Sequence, residues 1–512
     1  MNKSKILSFE DASAVFDRER KDGRRIVQCH GTFDLIHPGH IVHLEEARAL
    51  GDLLVVTVTD EQHVNKGPGR PCFNDDLRTR TLAALECVDY VVLIPYTAAV
   101  EAIRLVKPDI YCKGSEYEDA SNDVTGNIHD DLTEVRSHGG EVRYIGSIVF
   151  SSTKLLNNHF GHISEKIRTC CQKLVTRTSA AEIRTMVDGF QNLRVLVIGD
   201  TIIDQYACLN VQGLTSKNRI ISGRFLHQDT YLGGALAVVR HVKEFSSNVR
   251  FVSLLGTEPW VDELVGGVLS EKEDATLREE SFTTVVKKRY VEPLLAGNEL
   301  SKLFSINYLD DEPPSEAVQQ RLFESIRREM KLCDVVLLTD FGHGLMQKKL
   351  RDLVQEEAPF LVLNCQTNSN NHGFNIITRQ YQRADAFSLD NQEIMLSCGL
   401  KRFDAEAELG AIAKRFGSSY AWLTRGSVMT LGLAEGYEPS EIPPLVTDVT
   451  DTVGAGDAFF SVTGLAAVQR LPLDVATFLG QLAGAQAVNI VGNERPISKA
   501  VLLKGAMSLL NF

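Results

Sequence analysis

A chain of 512 residues is too long to enclose one hydrophobic core, and its length predicts two or three domains. Apolar residues make up 44% and charged residues 24%, the proportions of a globular protein rather than a fibrous or disordered one. With 54 basic against 67 acidic side chains the formal net charge is −13, which argues against general nucleic-acid binding. No apolar run reaches spanning length and the N-terminal MNKSKILSFEDAS lacks a signal-peptide core, so the expectation is a cytoplasmic protein with no membrane partner. The ten cysteines are scattered with no CxxC pair, which predicts reduced thiols and neither disulfide nor zinc.

The first strong pattern is Ile26-Val27-Gln28-Cys29, read as a buried strand, followed by His30-Gly31-Thr32-Phe33-Asp34-Leu35-Ile36-His37-Pro38-Gly39-His40. Ile41, Leu44, Ala47 and Leu50 then recur at helical spacing, closed by Gly51. Pro38 suits a first helical turn, where its missing N–H is an orphan anyway. His37 and His40 therefore fall at a helix N-terminus just past the carboxyl end of a strand, where free N–H groups and the helix dipole favour anions. Two zinc ligands one turn apart would need further ligands, and no cysteine or acidic cluster nearby supplies them. The stretch resembles the HxGH signature of the nucleotidyltransferase superfamily, in particular cytidylyltransferases and the transferase half of bifunctional ADP-heptose synthases.

Beyond Gly51, strands are expected over 53–58, 90–94, 110–112 and 142–145, with helices over 77–85 and 98–106 between them. That alternation predicts a Rossmann-like parallel sheet covered on both faces. Three stretches stand out as polar and broken. Lys66 opens Lys66-Gly67-Pro68-Gly69-Arg70-Pro71; Lys113-Gly114-Ser115-Glu116-Tyr117 follows a strand; Ser151-Ser152-Thr153-Lys154 precedes a helix. The second resembles the KGxDY loop of the heptose adenylyltransferases, with Glu116 for Asp, and the third resembles their phosphate segment. A sugar phosphate is already an anionic nucleophile, so attack on a nucleotide's α-phosphorus needs positive charge and hydrogen bonds more than a base. The resemblance implies His37, His40 and Lys154 as catalytic residues. It implies nucleotide binding by Gly31, Thr32, Phe33, Lys66, Lys113, Gly114, Ser152 and Thr153.

Residues 1–156 are thus read as a transferase domain. Residues 157–190 follow as a connector of one or two helices with a break near Thr178-Ser179. A second α/β pattern opens at Val195-Leu196-Val197-Ile198-Gly199-Asp200 and fills residues 191–512. Its far end carries Asp451-Thr452-Val453-Gly454-Ala455-Gly456-Asp457-Ala458-Phe459, which resembles the DTxGAGDxF signature of the PfkB/ribokinase sugar kinases. Glycine N–H groups at a helix start would make an anion hole for the transferred phosphoryl, and Asp457 stands where it can accept the proton of the attacking hydroxyl.

The resemblance implies sugar binding by Asp200, Asp204, Gly233 and Gly234, and ATP binding by Thr424, Gly426, Gly454, Ala455 and Gly456. Segments 206–231 and 282–308 are rich in alternating and β-branched residues, and are expected to form a small β-lid that closes the site and supports a homodimer or higher homo-oligomer. Three positions depart from the family. The metal-linked NxxE reads Asp390-Asn391-Gln392-Glu393, the D-P-K-like segment reads Asn364-Cys365-Gln366, and the Asn expected shortly after the paired glycines is missing. Asp390 and Glu393 are still suited to Mg²⁺, an oxygen-seeking cation.

The expected activity is a bifunctional one, in the reverse domain order to ADP-heptose synthases. The C-terminal half would phosphorylate a sugar or sugar phosphate from ATP, and the N-terminal half would join the sugar 1-phosphate to a second nucleotide, ATP or CTP, releasing pyrophosphate. The rivals are a transferase with a silent sugar-binding, kinase-like half, and a polyol-phosphate cytidylyltransferase fused to its kinase.

Overall fold

The computed structural model describes residues 5–64, 66, 70–115, 118, 128–146, 164–293, 300–310, 312–446 and 449–511. The chain divides into two compact units, Met1–Arg168 with Leu503–Phe512, and Thr169–Leu502.

Unit 1 is built on six strands, β1 (Ile6–Leu7), β2 (Ile26–Gly31), β3 (Leu53–Thr59), β4 (Tyr90–Ile94), β5 (Ile110–Gly114) and β6 (Glu141–Ile145). They lie in the order β1-β4-β3-β2-β5-β6, every neighbouring pair parallel. Strands buried on both faces read as unbroken apolar runs, and β3, with all seven residues buried, is the clearest case. Alternate residues feed two cores. Val27, Leu54, Val56 and Val91 pack with Leu44 and Leu82 on one face, while Ile26, Leu53, Val55 and Val92 pack with Phe16 and Ala102 on the other. The strand order reverses beside β2, whose partners are β3 on one side and β5 on the other. In a doubly wound sheet the ligand crevice opens there, at the carboxyl ends of the strands.

Several elements of unit 1 have no counterpart in the sequence reading. Edge strand β1 leads into the helix Phe9–Lys21, which Ser8 caps by accepting from the Asp11 N–H at 3.1 Å. A helix at Ile128–Ser137 lies between β5 and β6, where the sequence reading assigned no element. Between residues 157 and 190 the described elements are helices Glu165–Val175 and Ala180–Gly189, and Ser179 starts the second through a capping box with Glu182.

Unit 2 contains β7 (Arg194–Gly199), β8 (Thr201–Leu214), β9 (Ile221–Gly234), β10 (Asn248–Val252), β11 (Leu254–Leu255), β12 (Leu277–Arg278), β13 (Val285–Pro293) and β14 (Leu300–Tyr308). It continues through β15 (Val335–Asp340), β16 (Leu361–Cys365), β17 (Ala386–Asp390), β18 (Tyr420–Thr424), β19 (Thr430–Ala434) and β20 (Ser440–Ile442). The main sheet runs β10-β7-β15-β16-β17-β18-β19-β20, parallel as far as β18 and antiparallel at its last two pairs. Helices Ala455–Val468 and Leu473–Ala487 are buried along most of their length, as expected of apolar segments lacking a polar face. A second sheet, β14-β13-β8-β9, is the lid expected from the two alternating segments. Strand β8 leaves directly after Asp200 and β9 returns to Gly233-Gly234, so the root of the lid sits at the carboxyl end of β7.

Two candidate active sites

In unit 1 the loop after β2 is pinned before it reaches the histidines. Arg78 is buried, and its Nη1 donates to the carbonyls of Thr32 at 2.6 Å and Thr59 at 2.9 Å, tying together the carboxyl ends of β2 and β3. Phe33 is held at φ 47°, a left-handed conformation costly for a bulky side chain and kept only where its surroundings enforce it. His37 is the N-cap of the helix Pro38–Arg48, and its Nδ1 accepts the His40 N–H at 3.3 Å. That bond assigns the neutral ring's proton to Nε2. The His37 and His40 rings stack with centroids 4.0 Å apart, and Phe33 lies 5.5 Å from His40 on a tilted plane.

Burial lowers the pKa of both rings. For His40 the neighbouring charges of His37 and Lys66 add to desolvation and bring it to about 3. Neutral rings at a helix start can offer directed N–H groups alongside the helix dipole, rather than imidazolium charge. His30 bonds through Nδ1 to the Thr57 hydroxyl at 3.0 Å and through Nε2 to that of Thr59 at 3.3 Å, so it braces the sheet.

Unit 2 holds a cavity of about 280 Å³ lined by residues of the lid, the main sheet and the glycine loop. Gly454 caps the helix Ala455–Val468 at φ 84°, a conformation that favours glycine, and a Cβ there would overlap the Asn493 carboxamide. Asp457, on the first turn of that helix, lines the cavity. Burial, reinforced by the charge of Asp204, pushes its pKa up to about 7, while the Gln366 amide donates to Oδ1 at 3.3 Å. A carboxyl poised near neutrality at a helix N-terminus is equipped to take a proton from a hydroxyl.

The start of the glycine loop is fixed by Asp451. Its Oδ1 accepts from Lys302 Nζ at 2.7 Å and the Val453 N–H at 3.1 Å, and its Oδ2 accepts from the Tyr206 hydroxyl at 2.8 Å and the Gly492 N–H at 3.1 Å. Lys302 and Tyr206 belong to lid strands β14 and β8, so the lid and the anion loop share this carboxylate.

Residues 29–169 match the family model described as Cytidylyltransferase-like. The chain is 40% identical over 152 residues to "Bifunctional protein HldE" of Trichlorobacter lovleyi, covering 29% of this chain and 30% of that one. It is 39% identical over 165 residues to the protein of that name from Pseudomonas syringae pv. syringae, covering 32% of each. The chain thus spans just under a third of the length of the curated relatives it matches. Residues 29–169 form a cytidylyltransferase-like domain. Among solved structures, phosphofructokinase-2 from Escherichia coli in complex with fructose-6-phosphate is similar over 62% of this chain and 99% of its own, with 13% identity and a TM-score of 0.48. Ribokinase from Thermotoga maritima is similar over 60% and 98%, with 16% identity and a TM-score of 0.46. Unit 2 itself is an α/β domain with an eight-stranded main sheet and a separate four-stranded sheet.

Within the cytidylyltransferase-like domain, Gly31, Thr32, Phe33, His37 and His40 share the carboxyl end of β2, and Lys66 is near enough for its charge to reach His40. Lys113 and Gly114 end β5, but the Lys113 ammonium is paired with the buried Asp131 at 2.8 Å rather than presented alone to a ligand. Ser152, Thr153 and Lys154 lie outside the described residues.

In unit 2, Asp204, Gly234, Asp390, Glu393, Thr424, Gly454, Gly456 and Asp457 line one cavity. Gly233, Ala455 and Gly426 are not among its lining residues. Asp200 is also absent from that lining: its carboxylate is buried and accepts the N–H groups of Phe341, His343 and Leu345 at 3.0–3.4 Å, which anchors the β15 loop. The expectation that it faces sugar hydroxyls is corrected accordingly. Asp204 is ion-paired with Arg289.

The sequence reading missed the cations. Lys287 and Arg289 of β13 both line the cavity, and Lys287 makes no hydrogen bond or ion pair among the described residues, its ammonium lying 6.0 Å from the centre of the Phe341 ring. The available signal was two charges at period two within a β-branched run, an arrangement that puts both on one face of a strand.

Proposed function

We propose that this chain is a bifunctional transferase that makes an NDP-sugar, ADP- or CDP-heptose-like, from a sugar or sugar phosphate. In the ribokinase-like domain Asp457 takes the proton of the acceptor's anomeric hydroxyl, whose oxygen then bonds to the γ-phosphorus of ATP as ADP leaves. The N–H groups of the Gly454–Gly456 turn meet the transferred phosphoryl. In the cytidylyltransferase-like domain a phosphate oxygen of the sugar 1-phosphate attacks the α-phosphorus of the second nucleotide, and pyrophosphate departs. His37 and His40 donate N–H groups to the developing charge, and Lys66 supplies positive charge.

The observation that carries this reading is Asp457: a cavity-lining carboxyl raised to about 7 beside a glycine-capped helix start, in the same chain as the histidine pair. It favours an active kinase half over a silent one. Lys287 and Arg289 give the acceptor cavity two cations, which supports an acceptor carrying an anionic group such as a second phosphate.

Both steps call for Mg²⁺, which would screen phosphate charge when bound. The donor set fits that hard cation on the ribokinase-like side. Asp390 commits Oδ1 to the Gln392 and Glu393 N–H groups, each at 2.7 Å, while Oδ2 remains available, and Glu393 accepts the Asp390 N–H at 2.7 Å and so orients its neighbour. Leu214, Ile221, Phe225 and Phe304 are exposed on the lid strands, which supports assembly with further copies of the chain. The deciding experiment incubates the full chain with candidate sugars and sugar phosphates and each of four NTPs, measuring pyrophosphate release and product mass. An NDP-sugar formed through a 1-phosphate is expected. Nucleotidyl transfer without any sugar phosphorylation would instead support the silent kinase-like half.

A further inference from the structure

One group in the cytidylyltransferase-like domain is out of balance with its surroundings. The Arg70 side chain is 1% exposed, and its Nε donates to Asp34 Oδ2 at 2.6 Å. Its Nη1 and Nη2 are both buried, and neither has a hydrogen-bond partner among the described residues. A guanidinium stays charged at every accessible pH, and buried charged donors left without acceptors are strongly unfavourable. Arg70 differs in this from Arg78, also buried, whose terminal nitrogens bond to Thr32, Thr59 and Asp75.

The orientation of Arg70 is fixed from behind. Asp34 also accepts the N–H groups of Cys72 at 2.7 Å and Phe73 at 3.1 Å, so its carboxylate holds the arginine fork to the loop that ends three residues later at His37. With three donors on it, Asp34 does not serve the outer amino groups of Arg70. The site has a matching need. Its two histidines are neutral, so the charge that a triphosphate requires must come from cations, and Lys66 near His40 is an exposed one.

We infer that Arg70 is a phosphate-binding residue of this site, its Nη1 and Nη2 donating side by side to phosphate oxygens of the nucleotide, on the α-phosphate or on the pyrophosphate end. This assignment rests on the nucleotidyltransferase reading. Asp34 is then a positioning residue, acting through Arg70.

The test is hydrogen–deuterium exchange of the full chain in Mg²⁺ buffer, titrated separately with pyrophosphate and with AMP or CMP. The wild type is compared with Arg70→Lys, which keeps the charge but not the paired donors, after melting curves confirm folding. Arg70→Gln substitutes if the lysine variant is destabilised. The expected result is slowed exchange in peptides spanning 30–48 and 70–79 of the wild type. The variant should need at least ten times more of the same probe, with exchange over 449–468 unchanged between the two proteins. Protection by pyrophosphate alone places Arg70 on the leaving end; protection by a monophosphate places it on the α-phosphate. Equal probe dependence in wild type and variant overturns the role of Arg70 and leaves the transferase reading standing. No protection of those wild-type segments by any probe removes the transferase reading, and the role of Arg70 with it.

Discussion

On the proposed reading, two helix N-termini do related work in this chain with opposite electrostatics. At Pro38–Arg48 the residues presented are a pair of imidazoles kept neutral by burial, and the nearby charge is carried by Lys66 and Arg70. At Ala455–Val468 the residue presented is a carboxyl, raised by burial and by Asp204 until it titrates at about 7. The nucleophiles explain the contrast. A sugar phosphate arrives already ionised and needs stabilisation of incoming charge, so a base would add little. A hydroxyl must lose its proton, so a base is placed where the helix dipole and glycine N–H groups also receive the phosphoryl. The same helical device therefore serves different chemistry according to one titratable side chain.

The sharpest way to break this comparison is to remove the base. Asp457→Asn should lower sugar phosphorylation by about 10³–10⁴, the upper range of a general base, in a coupled ADP assay. Phosphorylation at the wild-type rate would show that the carboxyl is not the base. His40→Ala should lower nucleotidyl transfer by about 10²–10³ in pyrophosphate release, the loss typical of one preorganised donor, with phosphorylation retained.

The pH profiles should then diverge. Because Asp457 must be ionised to act, kcat/KM for phosphorylation should rise with pH and level off above about 7, falling about 100-fold between pH 8 and pH 5. Nucleotidyl transfer should show no inflection from His40 between pH 6 and pH 8, since that ring is already neutral there. A bell-shaped transferase profile centred near 6.5 would contradict the neutral ring. Next in size, Lys287→Met should raise KM about 10–50-fold for a phosphorylated acceptor and hardly at all for the dephosphorylated sugar, as loss of one charge-assisted bond implies.

A separate effect is on stability, and its sign is fixed by linkage. Asp457 has a folded pKa of about 7 against an ordinary aspartate value of 3.8, so its contribution is intact below about 4 and is lost as pH rises through about 7. Asp457→Asn should therefore melt higher than the wild type at pH 8.5, by up to ~4 kcal/mol, with the difference shrinking towards pH 4. A difference independent of pH would place the carboxyl's titration elsewhere.

How much of this was legible before the structure depended on where the information lay along the chain. Strand β3 and the run before Gly199 declare themselves because a strand buried on both faces must be apolar throughout. The histidine pair and the DTVGAGD stretch are contiguous, so short-range geometry fixes both to helix starts. Strand β1 was illegible because two residues carry no periodicity, and its place at the sheet edge is decided by pairing with β4. Arg70, Arg78, Lys287 and Arg289 read as ordinary charges in sequence; the three arginines gain their importance from partners tens of residues away, and Lys287 from the cavity it lines. Asp200 shows the reverse error: its motif position suggested a ligand contact, while the fold turns its oxygens to three backbone N–H groups of the β15 loop.

The central claim is that one chain holds two separate catalysts, and the Asp457→Asn protein tests it most directly. Pyrophosphate release is measured twice: once with the acceptor sugar phosphate plus ATP and the second nucleotide, and once with the sugar 1-phosphate supplied ready-made. The account predicts negligible release from the first mixture and wild-type release from the second, because nothing in the cytidylyltransferase-like domain depends on Asp457. Loss of release from both mixtures in a protein that melts normally would contradict it, as would undiminished release from both.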